Sequence, residues 1–276
     1  ESYIRCAAAW LDVIQRYYGE RELFVVLADL SKHVDEAQRL GVTPENKESP
    51  ARAYEATGGG KESGLSLLMQ ESSVLSDGVL RLLESVLTAL VSRKSDYTST
   101  ILTDEHTLRL LDVFKGRRKV SLCMDILDSF NRNHSSTGDA VLIHTMFDIG
   151  RSLHDSLDHM SAEGDKKQVS GLINGLIDKI DFGKDLEQQL STYVECRGIF
   201  NNLDLVQDKL VACAGQLAVR TYGYMKGKHT KKTAAFAKAC LAFCHITIAS
   251  IQDATRKLSL LLLSAQISML NSCLPQ

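Results

Sequence analysis

Along most of this chain apolar residues return every three or four positions, as they do in helices that bury one face. Ile4, Ala8, Leu11, Ile14 and Tyr18 form a first stripe, closed by Gly19. Leu23, Leu27, Leu30, Val34 and Ala37 form a second, and Val79, Leu83, Val86 and Leu90 a third, within a helix predicted over 74–94. The same periodicity predicts helices near 104–115, 118–132, 139–161, 166–181, 184–200, 203–226, 231–250 and 253–273. Alternation of period two is confined to short stretches such as His245-Ile246-Thr247-Ile248, inside longer helical patterns, so no strand is expected.

The joints between these helices are short, which forces antiparallel neighbours. Stacked antiparallel pairs make an all-α fold, an α-solenoid of the HEAT or armadillo kind; a compact helical bundle is its rival. The late helices favour the stack. Ala234, Phe236, Ala239, Leu241, Phe243 and Ile246 make one segment apolar nearly all round, and Leu258 through Leu270 make another. Such helices call for cover on several sides, as inner helices of a stack receive. Residues 41–64 break the rhythm with Pro44, Pro50 and Gly58-Gly59-Gly60. This composition buries too little apolar surface to offset its ordering entropy, and it reads as a flexible loop or insertion. The expected organisation is one helical-repeat solenoid over 1–276 carrying that insertion. The first residue is Glu1 and the last stretch stops within a helical pattern, which reads as a segment of a longer protein.

Charge and cysteine content narrow the function classes. Lys and Arg number 32 against 34 Asp and Glu, a formal charge of −2, so a whole-chain grip on nucleic acid or anionic lipid is not expected. Seven cysteines, most of them in apolar stretches, read as free thiols of a reducing compartment. No apolar run is long enough to cross a membrane as a helix.

Several motifs invite chemistry and fall short of it. Gly58-Gly59-Gly60-Lys61 resembles a phosphate loop, yet Glu55 stands where its first glycine belongs and Glu62 where Ser or Thr should follow the lysine. Cys240 and Cys244 lie one helical turn apart beside His245 without a second ligand pair, and read as small buried hydrophobes. His154 and His159 are spaced by five rather than four and read as an exposed polar face. Nothing assembles nucleophile, base and oxyanion donors, so neither catalysis nor a metal or cofactor is expected. Two basic stretches, Lys115 to Lys119 and Lys226 to Lys232, fall between predicted helices. In the second, Lys231 and Lys232 open a helix against its macrodipole, which raises the case for binding an acidic partner surface or a lipid headgroup there.

Two longer segments carry a resemblance. Asp181, Phe182, Gly183, Asp185, Glu187, Gln188, Gln189, Leu190, Tyr193, Val194, Glu195 and Arg197 follow the pattern D/S-F-G-R-D-x-E-Q-Q-L-x-x-Y-V-E-x-R, with Lys184 in place of the arginine. Met225, Lys226, Gly227, His229, Lys232, Thr233 and Phe236 follow M-K-G-x-H-x-x-K-T-A-A-F. With the stretches 240–248 and 258–273, and more weakly with Val26 to Asp29, Lys32-His33 and Leu172-Ile173-Asn174-Gly175, these residues resemble the vacuolar protein sorting 35-like scaffold family. That family supplies the large subunit of the retriever complex and is a paralogue of the large retromer subunit. Residues 43–70 do not match it.

The resemblance implies an α-solenoid without catalysis, whose C-terminal half cradles the vacuolar protein sorting 29 subunit, a protein of metallophosphoesterase fold. It implies assembly with Commander components on the cytosolic face of endosomes, indirect association with the membrane, and return of membrane cargo to the cell surface. An arrestin-like subunit would engage a region outside this chain. The alternative is a helical-repeat adaptor of another transport or coat complex. Locally, Gly183 suits a left-handed helix stop, Asp185 and Glu187 a first helical turn, and Leu186, Leu190, Tyr193 and Val194 a buried stripe. Glu195 and Arg197 are placed to pair with neighbouring repeats. Most signature residues are expected to pack repeats rather than to touch a partner.

Overall fold

The computed structural model describes residues 2–17, 20–41, 75–92, 98–157 and 161–272. Regular structure among them is helical, apart from one isolated β-bridge between Thr137 and Ile180. The rest of the expected loop from residue 42 on, the Gly58 to Lys61 stretch, His159 and Cys273 lie outside the described residues. The helices divide into two compact units, Glu1–Phe114 and Lys115–Gln276.

In the first unit, α1 (Ser2–Tyr17) packs on α2 (Glu20–Gly41) and on α3 (Asp77–Ser92), while α4 (Thr98–Thr103) and α5 (Glu105–Asp112) lead from α3 back to α2. The three sequence stripes supply the core: Ile4, Leu11 and Ile14, then Leu23, Leu27, Leu30 and Val34, then Val79, Leu83, Val86 and Leu90. Ala37 continues the α2 period but is exposed. The six-residue α4 is too short to show a period and escaped sequence analysis. Asp104 starts α5 by accepting the Thr107 N–H at 3.1 Å.

The second unit contains α6 (Gly116–Asn133), α7 (Ala140–Asp155), α8 (Glu163–Lys179), α9 (Leu186–Ile199), α10 (Asp204–Tyr224), α11 (Lys231–Ser250) and α12 (Ala254–Leu270). Cross-helix bonds fix their directions. The Asn131 Nδ2 donates to the Leu172 carbonyl at 2.9 Å, and six residues further on the Thr137 N–H reaches the Lys179 carbonyl at 2.7 Å, so α6 and α8 run parallel. The Asn174 Nδ2 meets the Leu205 carbonyl at 3.2 Å and the Asp178 Oδ1 meets the Lys209 Nζ at 2.6 Å, so α10 runs the same way. On the other layer, His144 pairs with Glu195 across α7 and α9, and Arg197 reaches the Ile246 carbonyl across α9 and α11. The Gln252 N–H, just past α11, donates to Asp204 at the start of α10, so the layers run antiparallel. This is the packing of an α-solenoid: α6, α8, α10 and α12 in one layer, α7, α9 and α11 in the other.

Three expectations are corrected here. The basic stretch Lys115 to Lys119 does not fall between helices: α6 begins at Gly116, because the apolar stripe Leu122, Cys123 and Ile126 is already in phase, and Arg117 to Lys119 occupy its first turn. His154 is not an exposed polar residue. It follows Leu153 on the side of α7 that meets α9, and its ring stands edge-on to Phe200 at 6.0 Å. Nor are α11 and α12 covered all round within the described residues. Each buries one stripe, Ala237, Cys240, Leu241, Cys244 and Ile248 in α11 and Leu260, Ser264 and Ile267 in α12, and leaves apolar residues on its other side. Composition without a phase cannot say which side is covered. Cys240 and Cys244 are indeed buried, and burial pushes both thiols up to about 12.

Candidate interaction surface

The first signature segment is mostly a device for turning the chain between α8 and α9. Asp181 donates its N–H to the Thr137 carbonyl at 2.9 Å, and its Oδ1 accepts the Gly183 N–H at 2.8 Å. Gly183 takes φ 65°, the left-handed conformation that a side chain disfavours. Its carbonyl accepts from Arg220 of α10 at 3.3 Å. Asp185 is the N-cap of α9, accepting the Gln188 N–H at 3.0 Å, and Glu187 sits exposed in the first turn.

The centre of the device is Gln189, only 3 % exposed. Its Nε2 donates to the Ile180 carbonyl and to the Tyr193 hydroxyl, each at 2.8 Å, and its Oε1 accepts the Phe182 N–H at 2.9 Å. One amide thus ties the end of α8, the turn and the body of α9. Burial holds the Tyr193 hydroxyl well above the usual phenol range.

The buried face of α9 is Gln189, Thr192, Tyr193 and Cys196. Leu186 and Leu190 are half-buried, and Val194, expected in the buried stripe, is 52 % exposed. Polar residues satisfied by hydrogen bonds took the inner positions and left the valine outside: the Thr192 hydroxyl donates to the Gln188 carbonyl at 3.0 Å. Beside Val194, the Glu195 Oε1 lies 3.0 Å from the His144 Nδ1. The Arg197 Nη2 lies 3.5 Å from the Ile246 carbonyl. The expected pairing with neighbouring repeats is therefore present on both sides.

The second signature segment shapes the turn between α10 and α11. Met225 caps α10. Lys226 and Gly227 then take φ 48° and 78° in succession. At Gly227 a Cβ would stand 3.1 Å from the Tyr222 hydroxyl, so that position combines a left-handed backbone with a close neighbour. His229 lies against Tyr222 with ring centroids 5.9 Å apart, and its Nδ1 is 3.4 Å from the Thr233 hydroxyl. Thr230 and Thr233 form a capping box at the start of α11. Phe236 is half-buried, and Lys226 and Lys232 are exposed.

Signature residues therefore sort into a majority that lock two turns and a minority that face outward. The outward group joins residues the sequence did not single out. Val141 of α7 is 63 % exposed and Ile246 of α11 is 60 % exposed. They stand on the two helices that α9, which carries Val194, meets through the His144–Glu195 and Arg197–Ile246 contacts. For Val141 the available signal was phase: it is an aliphatic residue out of step with the Leu142, Met146, Ile149 and Leu153 stripe that its own helix buries. Among the described residues no group of three His, Cys, Asp or Glu side chains is placed to hold a metal ion.

Proteins named VPS35 endosomal protein-sorting factor-like are similar over the full chain, at 33 % identity in mouse and in human and 31 % in Dictyostelium discoideum. The Drosophila melanogaster relative is 38 % identical over 70 % of the chain. The chain spans about a quarter of the length of these relatives, 25 % of the mouse and human proteins. Residues 77–276, which include both signature segments and the whole second unit, match the family described as the VPS35L C-terminal domain, and the chain belongs to that family.

Proposed function

We propose that the chain is a non-catalytic scaffold segment of a retriever-type endosomal sorting complex, and that it docks the vacuolar protein sorting 29 subunit on the outer face of α7, α9 and α11. In this reading the complex acts with Commander components on the cytosolic face of endosomes and supports the return of membrane cargo to the cell surface. Its contact with the membrane is indirect. Membership of the VPS35L C-terminal domain family supports the complex. One observation carries the docking face: Val141, Val194 and Ile246 stand exposed on three successive helices of one layer, uncovered among the described residues of the second unit.

Covering what remains exposed of three branched side chains stabilises a complex by roughly 3–4 kcal/mol, enough for a hot spot at the centre of an interface. Around them, the His144–Glu195 pair supplies a polar rim. The test is calorimetric titration of the purified vacuolar protein sorting 29 subunit into the chain and into Val194→Asp and Ile246→Asp variants. Both positions are exposed, so circular dichroism and melting should be unchanged. A carboxylate under the partner should weaken binding by about a hundredfold. Equal binding by wild type and variants would remove the face from the interface. A folded wild type that does not bind at all would sink the reading and leave an adaptor for another partner.

A further inference from the structure

We infer that the turn between α10 and α11 is a docking site for an acidic peptide segment of a partner protein. Lys226, Lys228, Lys231 and Lys232 are all exposed there, and none of their ammonium groups forms an ion pair among the described residues. Lys231 and Lys232 lie in the first turn of α11, where the helix dipole is positive and no acidic residue offsets it. The helix is started instead by the neutral box of Thr230 and Thr233, whose N–H and hydroxyl groups bond each other at 3.3 and 2.9 Å. Two lysines at this point weaken the helix that carries them. Among the described residues they have no partner, so the charge awaits one from elsewhere.

The turn is also held rigid. The Lys226 N–H donates to the Gly223 carbonyl, the Gly227 N–H to the Tyr222 carbonyl and the Lys228 N–H to the Met225 carbonyl, at 3.1, 3.1 and 3.0 Å. Lys226 is kept in a left-handed conformation that lysine rarely adopts. A rigid cationic turn loses little entropy on binding. Tyr224, 62 % exposed beside it, adds an apolar flank.

The neighbouring turns decide between an acidic peptide and an anionic membrane. Arg220 ties the 181–185 turn to this end of α10 through the Gly183 carbonyl, and that turn and the start of α9 expose Asp181, Asp185 and Glu187 against Lys184. The Thr137–Ile180 bridge brings Asp139 to the same end of the unit. A flat anionic surface meeting the lysines would press against these carboxylates as well. A narrow peptide lying along 226–232 avoids them.

The experiment uses the 276-residue chain and a fluorescein-labelled short peptide of Asp and Glu, with an Asn and Gln peptide as control, read by anisotropy. Saturable binding of the acidic peptide that weakens as salt rises is expected, with none for the control. A combined Lys226→Gln, Lys228→Gln, Lys231→Glu, Lys232→Glu variant should bind about tenfold more weakly or worse. The same variant should melt no lower than wild type, since glutamates suit the start of α11, so loss of binding cannot be blamed on unfolding. Titration with the vacuolar protein sorting 29 subunit should be unaffected by these changes, which separates this site from the outer face of α7, α9 and α11. Absence of peptide binding, equal binding by the variant, or sedimentation with phosphatidylserine vesicles that needs the same lysines would each overturn the inference, the last in favour of a membrane.

Discussion

Replacing Gln189 should unfold the second unit at milder conditions than any exposed signature residue. The Gln189→Ala change removes three hydrogen bonds of 2.8, 2.8 and 2.9 Å. The Ile180 carbonyl and the Tyr193 hydroxyl are left in a buried site without that partner, while the half-buried turn at Phe182 can recruit water. Each buried polar group stranded in this way costs about 1–3 kcal/mol, so the change should remove about 3 kcal/mol in all. For a unit of this size that is a fall in melting temperature of about 6–12 °C. Gln189→Leu separates the causes: it keeps the volume and loses the bonds, and should be nearly as damaging. Gln188→Ala, on the exposed side of the same turn, should stay within about 0.5 kcal/mol of wild type. Urea and thermal denaturation followed by circular dichroism would read all three. If Gln189→Ala lay within 1 kcal/mol of wild type, or if leucine rescued it, the amide would not be the tie between α8 and α9, and the signature glutamine would need another explanation.

Two further outcomes follow from close contacts in the second unit. A Cβ at Gly175 would stand 2.6 Å from the Asn131 Nδ2, the atom that bonds α6 to the Leu172 carbonyl, so Gly175→Ala should destabilise by about 1–3 kcal/mol although alanine favours helix by about 1 kcal/mol. Equal or higher stability in urea would show that the two helices can part freely. The His134 ring stacks on Phe130 at 4.3 Å, and burial, helped by the Lys179 charge, holds its pKa below the ordinary 6.5. The unfolded chain then takes up the proton first: the contribution is full above 6.5 and is lost as pH falls through that value towards the lower folded pKa. A His134→Asn variant should lose part of the acid sensitivity between about pH 7 and pH 5, and a parallel pH profile would refute this.

Much of the fold was legible because its helices are amphipathic over several turns. The stripes of α1, α2 and α3 were in phase from the sequence alone, and the turn between α8 and α9 followed from Gly183 and Asp185 chemistry. The candidate surface was less legible for the opposite reason. The inner face of α9 is built from Gln189 and Thr192, residues that count as polar in any periodicity, so Val194 was assigned inward. Helix α11 is apolar on both sides, so its pattern has no phase, and Ile246 could not be told from Ile248. Lys231 and Lys232 were readable as a misfit with the helix dipole. That they form no ion pair among the described residues required the neighbouring turns.

Five of the ties that hold the second unit together share a chemical asymmetry. Asn131 grips the Leu172 carbonyl, Asn174 that of Leu205, Gln189 that of Ile180, Gln207 that of Phe200 and Arg220 that of Gly183. In each, a side chain donates and the backbone receives. Any residue that keeps the local backbone path supplies the receiving carbonyl, so the donor is the more exposed to mutation. Evolution can therefore rewrite the receiving positions one at a time, without the paired replacements that a side-chain-to-side-chain contact demands. A scaffold stitched in this way can drift far in sequence while its helices stay in register, and what persists are solitary amides and arginines whose partners leave no trace in the letters around them.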